Sequence, residues 1–138
     1  MQFRIKPCYD KELIKALHKK YLPGDVLYSS PSADWVVTYQ GQPIGFCQLG
    51  DDGREDAAFL ARAAVDPVFK GMGLGRRLIR VRERYARAAG LLRLYTYTTV
   101  DNMQSIANLQ RLGYTLYRPE VLYVGPKYLY WQKLLEVK

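Results

Sequence analysis

Residues 65–79 read VDPVFKGMGLGRRLI, with Gly71, Gly73 and Gly75 at alternate positions between a small apolar run and an arginine-rich one. A glycine-rich turn leading from a strand into a helix surrounds an anion with backbone N–H groups and the positive end of the helix dipole. Glycine also lets the backbone come close to a phosphate. Two widespread phosphate loops fail here on residues. A Walker loop ends in Gly-Lys-Ser/Thr, whereas Gly75 is followed by Arg76 and Arg77. The dinucleotide fingerprint needs G-x-G-x-x-G inside a βαβ unit, and this stretch is G-x-G-x-G after a hairpin pattern.

The 138 residues suit one domain spanning 1–138, long enough to bury roughly two thirds of the surface of the unfolded chain. With 49% hydrophobic and 25% charged residues the composition is globular. No run approaches the ~20 apolar residues of a membrane span, so no membrane partner is expected. MQFRIKPCYDKEL lacks the apolar core of a signal peptide, which leads us to expect a cytoplasmic protein. Cys8 and Cys47 are too few for a disulfide framework or metal knuckle, and the single histidine, His18, sits among lysines. No metal is expected. The net charge of +8 favours anionic partners, whether a phosphate-rich cofactor, an acidic protein or nucleic acid.

Hydrophobic periodicity gives the order of elements. Gln2 to Lys6 alternates as a first strand ended by Pro7. Asp10 caps a helix whose apolar face is Leu13, Ile14, Leu17 and Tyr21. Residues 22–34 (LPGDVLYSSPSAD) read as an irregular loop. DWVVTYQ and PIGFCQLG then flank a tight turn at Gly41-Gln42. DDGRED (51–56) is a turn and AAFLARAAV (57–65) a strand. From Leu74 a helix follows with Leu74, Leu78, Val81 and Tyr85 on its apolar face, Ile79 and Ala89 beside them, and Gly90 at its end. LLRLYTYTT is β-rich. A last helix carries Ile106, Leu109 and Leu112, with Asp101 and Gln104 placed as a capping box and Gly113 closing it. YTLY and YLYWQKL complete a mixed sheet flanked by helices.

The segment Val65-x-Pro67-x-Phe69-Lys70-Gly71-Met72-Gly73-Leu74-Gly75-Arg76 resembles the acetyl-CoA pyrophosphate loop of the GNAT superfamily of acyl-CoA N-acyltransferases. Asn102-x-x-Ser105 followed by Leu109-x-x-Leu112-Gly113-Tyr114 is similar to the family's N-x-x-A helix and its closing G-F/Y pair. Pro43-Ile44-Gly45 resembles the third strand. The resemblance covers nearly the whole chain. It implies an α+β (mixed α/β) fold with a central mixed sheet of about six to seven strands, about four flanking helices, and central strands that splay apart. It also implies that Ala63 and Val65 offer backbone groups to the pantetheine arm. Lys70, Gly71, Met72, Gly73, Leu74, Gly75 and Arg76 would wrap the pyrophosphate, and Asn102 would contact the arm.

The activity so implied is that of a transferase, an acetyl-CoA-dependent N-acetyltransferase moving an acyl group onto a primary amine. The acceptor would be a small molecule, a protein or an RNA-bound group. In that chemistry a base takes the amine proton, an acid protonates the thiolate, and a backbone N–H of the splayed strand polarises the carbonyl. This chain departs from the family at one position of consequence. Many members carry a tyrosine as acid where Leu109 stands, and Leu109 belongs to an apolar stripe. Ser105, one turn earlier, and Tyr97, near the end of the β-rich run, are the remaining catalytic candidates. No carboxylate lies in AAFLARAAV, which leaves Glu55, Asp56 and Glu120 in turns as bases acting through water. Lys70, where Arg or Gln is commoner, keeps a charge and loses the planar fork.

Of the helix arginines, Arg76 and Arg77 are near enough to meet phosphates, while Arg80, Arg82, Arg84 and Arg87 are read as a solvated outer face, a footprint that nucleic acid would also fit. By family analogy, residues 22–34 and 118–127 shape acceptor choice. Two other classes of function stay open: a non-catalytic CoA-binding or partner-binding protein on the same fold, and a basic nucleic-acid-binding module. The last strand is read as exposed, with pairing to a second copy, a homodimer, left open.

Overall fold

The computed structural model describes residues 2–51 and 53–136. Its elements in chain order are β1 (Phe3–Pro7), α1 (Lys11–Tyr21), β2 (Ser32–Tyr39), β3 (Gln42–Gly50), β4 (Ala57–Val65), a 3-10 turn (Pro67–Phe69), α2 (Leu74–Ala88), β5 (Arg93–Thr99), α3 (Met103–Arg111), β6 (Thr115–Leu116) and β7 (Tyr128–Leu134). The seven strands form one sheet in the order β1-β2-β3-β4-β5-β7-β6. Only β4 and β5 run parallel; every other neighbouring pair is antiparallel. Among the described residues there are three α-helices, and the fourth helical piece is the single 3-10 turn.

Alternation along the strands assigns the two faces. Trp35, Val37, Cys47 and Leu49 point into the large core with Leu74, Leu78 and Ile79 of α2 and Ile106 and Leu109 of α3. Their strand neighbours Val36 and Phe46 face the other way, against Ile14 and Leu17 of α1. Phe59 and Tyr95 continue that second face, with Tyr28, Tyr97 and Tyr117 packed on them. Asp10 caps α1 by accepting from the backbone N–H groups of Glu12 (3.1 Å) and Leu13 (3.2 Å).

Several local expectations are revised. The β2–β3 turn is Gln40-Gly41, one residue earlier than Gly41-Gln42, and Gln40 takes a positive φ of 51° that a two-residue primed turn requires. Asn102, not Asp101, caps α3: its side chain accepts from Ser105 N at 3.2 Å, so Gln104 makes no capping box. On α2 the buried arc is Leu74, Leu78, Ile79, Arg82, Glu83 and Ala86. Tyr85 is instead 49% exposed, edge-on to Trp35 at 5.4 Å. Arg82 therefore leaves the outer face and enters the core, for a reason that becomes clear at β3. The last strand is not an edge either. β7 lies between β5 and β6, and the edges are β1 and the two-residue β6.

Two irregularities place the site. β4 and β5 pair only through Ala57↔Arg93, Ala58↔Leu94 and Phe59↔Tyr95, after which they diverge. At the fork Thr96 Oγ1 donates to the carbonyl of Leu60 at 2.9 Å. Across from it, the β3–β4 register jumps from Cys47↔Ala63 to Leu49↔Leu60. Two residues of β4, Ala61 and Arg62, thus stand opposite Gln48 alone, a β-bulge that bends β4 away from its partner strand.

Candidate functional site

Beyond the fork the diverging strands, α2 and α3 enclose a cleft of ≈ 580 Å³. Ala63 and Val65 line it from β4, Tyr97 and Thr98 from β5, and Asn102, Ser105 and Leu109 from the α3 segment. Lys70, Gly71, Gly73, Leu74, Gly75 and Arg76 close its outer end. Of the residues singled out in the glycine segment, Met72 alone stands outside this lining, with its side chain 43% exposed. Leu74 is buried in the core, so what it can offer an anion is its backbone N–H.

The glycine turn is built as a rigid amide cradle. Gly71 (φ 84°) and Gly73 (φ 75°) are left-handed, a conformation side chains rarely take, and Gly73 is the N-cap of α2. Among the described residues the amides of Gly71 and Gly73 have no backbone acceptor, and the first-turn amides of α2 are unpaired as in any helix. Phe69 anchors the turn by packing edge-on to Phe3 (5.4 Å) and against Tyr39 (5.1 Å). Asp66 ties it down from the other side, accepting from Val68 N (3.0 Å) and from the Tyr21 hydroxyl (3.1 Å). Burial, and then that bond to Asp66, raise the Tyr21 pKa above the ordinary phenol value. The third glycine has a packing role: a Cβ on Gly75 would meet Asn108 Nδ2 at 2.9 Å, where α2 and α3 touch.

Asn102 lines the cleft while its Oδ1 caps α3, so its Nδ2 is the atom left to donate. Tyr97 is half-buried, and its Oη accepts from Arg62 Nη1 at 3.3 Å. The same guanidinium donates to the carbonyl of Val26 (2.8 Å) and pairs with Asp25 (3.3 Å), which fastens the loop after α1 to β4. The loop before β7 arrives from the opposite side. Tyr123 stands edge-on to Phe59, Tyr95, Tyr97 and Tyr130, with ring centroids 5.1–6.2 Å apart. Burial there lifts the Tyr123 pKa well above the usual phenol range. Both loops named in the sequence thus meet on one aromatic patch beside Tyr97. Glu55, Asp56 and Glu120 are exposed and line no part of the cleft.

The sequence profile of the Acetyltransferase (GNAT) family matches residues 5–114. The chain belongs to the GNAT family. It is similar to the mycothiol acetyltransferase of Nocardiopsis dassonvillei, 35% identical over 100 residues that make up 72% of this chain and 26% of that relative. Three curated relatives match, and the chain spans between 26% and 54% of their lengths. Among solved structures, the ribosomal-protein-S18-alanine N-acetyltransferase of Escherichia coli superposes with a TM-score of 0.77 at 19% identity, covering 99% of this chain and 96% of that one. The yncA structure from Salmonella typhimurium, solved with its cofactor acetyl-CoA, gives 0.75 at 19% identity, covering 97% and 94%. These likenesses show the GNAT fold.

Within that fold four residues shape the site whose places the sequence did not reveal: Thr96 at the fork, Arg62 in the bulge, Asp66 under the turn and Arg82, expected on the outer face, in the core. Only Asp66 had a local signal, since Asp before Pro is a turn-capping pattern. Leu109, at the family's tyrosine position, is 4% exposed and lies along the cleft. It offers no proton. No helix among the described residues is long and apolar enough to cross a membrane.

Proposed function

We propose that residues 1–138 form an N-acetyltransferase domain that takes an acetyl group from acetyl-CoA and transfers it to a primary amine. The observation that carries this is the left-handed Gly71–Gly73 turn, whose amides have no backbone acceptor among the described residues and which borders a cleft opened by two parting strands. The donor set fits a CoA thioester. Two open amides, the N-terminus of α2, exposed Lys70 and half-buried Arg76 suit a pyrophosphate, and the stretch of β4 that has parted from β5, at Ala63 and Val65, suits the amide-bearing pantetheine arm. Acetyl-CoA would supply an activated acyl carbon and a thiol leaving group.

The chain's own part is to bind, orient and handle protons. The β4 bulge at Ala61–Arg62 leaves backbone groups outside the ladder, from which an N–H can polarise a carbonyl at the narrow end. Tyr97 Oη is the proton donor we favour. Its lone pair is taken by Arg62 Nη1, which leaves its own hydrogen to be given into the cleft. Ser105 is the weaker choice because it sits in the first turn of α3, its backbone N–H bonded to the Asn102 cap, and no hydrogen bond orients its hydroxyl among the described residues. The amine acceptor would approach over the Tyr97 side, between the loops at 22–31 and 118–127.

A second feature supports an acceptor carried by an anionic partner, nucleic acid included. Arg77, Arg80, Arg84 and Arg87 are exposed along one stripe of α2, and none of them takes part in an ion pair among the described residues. Calorimetric titration with acetyl-CoA, then release of free CoA across polyamines, aminoglycosides, lysine peptides and aminoacyl-tRNA, tests the reading. Binding with turnover on at least one amine supports it. Binding without turnover on any favours a non-catalytic CoA-binding protein, and salt-sensitive nucleic-acid binding with no response to CoA favours a basic binding module.

A further inference from the structure

The bulge in β4 leaves Gln48 of β3 without a β4 partner, between Cys47↔Ala63 and Leu49↔Leu60. Its carbonyl is met from below by Arg82 of α2, whose Nη1 donates to it at 3.1 Å. Arg82 Nε donates to Leu78 O at 3.0 Å, and the residue is only 3% exposed. Nη2 has no hydrogen-bond partner among the described residues. The side chain lines the cleft at its narrow end, with Leu60 and Thr96.

No carboxylate answers this guanidinium. Glu83, next to it on α2, is turned to the Tyr114 hydroxyl (2.8 Å) and Lys133 (3.1 Å). Asp34, on β2, is held by Lys11, Ser32 and Gln48 Nε2. The titratable neighbours are neutral: the Cys47 thiol on β3 is pushed up to about 11 by burial, and Tyr114 after α3 is raised by burial and by Glu83. Arginine does not lose its proton in proteins. A buried, permanent charge without a counter-ion is costly to keep, and this one belongs to a residue that lines the cleft.

We infer that Arg82 is the fixed positive charge that stabilises the thiolate released in the cleft, acting where the tyrosine position is filled by Leu109. The inference rests on the acetyltransferase reading above. As the amine nitrogen bonds to the acyl carbon and gives up its proton to water, the carbon–sulfur bond breaks and both of its electrons go to sulfur. Arg82 keeps its proton throughout and offers charge through Nη2, and the proton that ends on sulfur comes from Tyr97 Oη, which is refilled from water. Arg82 thereby joins two tasks, holding the bulge through Gln48 and lowering the energy of the leaving group.

The test needs no turnover. On the native protein, the affinities of CoA and of S-methyl-CoA are measured calorimetrically from about pH 7 to 10, a range that brackets a free thiol near pKa ~8.5. CoA is expected to gain on the order of tenfold over its methylated analogue as pH rises, the equivalent of about one unit of thiol pKa, with the thiolate absorbance of bound CoA appearing at correspondingly lower pH. Arg82→Met is expected to abolish the gain and Arg82→Lys to keep part of it. A constant ratio of the two affinities in the native protein overturns the role of Arg82 and leaves the acetyltransferase reading standing. Failure of both ligands to bind overturns the two together.

Discussion

Thr96 Oγ1 donates a 2.9 Å hydrogen bond to the carbonyl of Leu60, bridging β4 and β5 at the place where they stop pairing. The bond spends the Thr96 hydroxyl on the fork and fixes how deep the cleft reaches. Thr96→Val keeps the shape and leaves a buried carbonyl without its partner, so a loss of about 1–3 kcal/mol in urea unfolding is expected, with weaker acetyl-CoA binding. Unchanged stability and affinity would mean that the fork is held by other contacts.

At Gly73 the expected effect is on the ligand more than on packing. A Cβ there has Arg76 Nη2 at 3.5 Å as its nearest neighbour, so space is available, but φ is 75°. Gly73→Val should cost about 1–2 kcal/mol of backbone strain and disturb the amide directions, lowering acetyl-CoA affinity by at least about tenfold while the fold persists. Calorimetry and a thermal melt, run together, separate the two contributions.

Tyr97 and Ser105 are distinguished by kinetics. Tyr97→Phe is expected to lower kcat by about 100-fold, the low end for a general acid, with little change in the KM for acetyl-CoA. Ser105→Ala should change kcat only slightly. The reverse order would move the proton donor to α3.

Alkaline stability carries a signature of the core. The Cys47 thiol is raised from 9.0 to about 11, chiefly by burial, with nearby Arg82 opposing the shift. The folded state therefore holds a proton that the unfolded chain gives up earlier. This contribution is complete below pH 9.0 and is lost as pH rises from 9.0 to about 11, amounting to roughly 2–3 kcal/mol. The raised Tyr114 adds a loss of the same sign. Urea midpoints measured across that window should fall in the native protein and fall less in Cys47→Ala.

The element order and the glycine turn were legible because they rest on local rules. Alternation marks β1, apolar runs bounded by turn residues mark β3 and β4, apolar spacing marks the helices, and Gly71 and Gly73 mark the turn. The irregularities were not. The β4 bulge depends on the register of two strands, and nothing in AAFLARAAV shows that Ala61 and Arg62 drop out of the ladder opposite Gln48. Arg82 read as a surface residue because helix periodicity counts apolar positions, while its burial is dictated by an orphan carbonyl on β3. The position of β7 inside the sheet likewise follows from long-range pairing with β5, which a single sequence does not display. Leu109 was legible only by comparison with a family pattern.

The most direct measurement is a calorimetric titration of acetyl-CoA into the native protein and into Gly73→Val. Saturable binding is expected with a dissociation constant somewhere between about 1 μM and 1 mM, one acetyl-CoA per chain, and clear weakening in the variant. No heat of binding at millimolar acetyl-CoA, or equal affinity in the two proteins, is incompatible with a CoA pyrophosphate held at the Gly71–Gly73 turn.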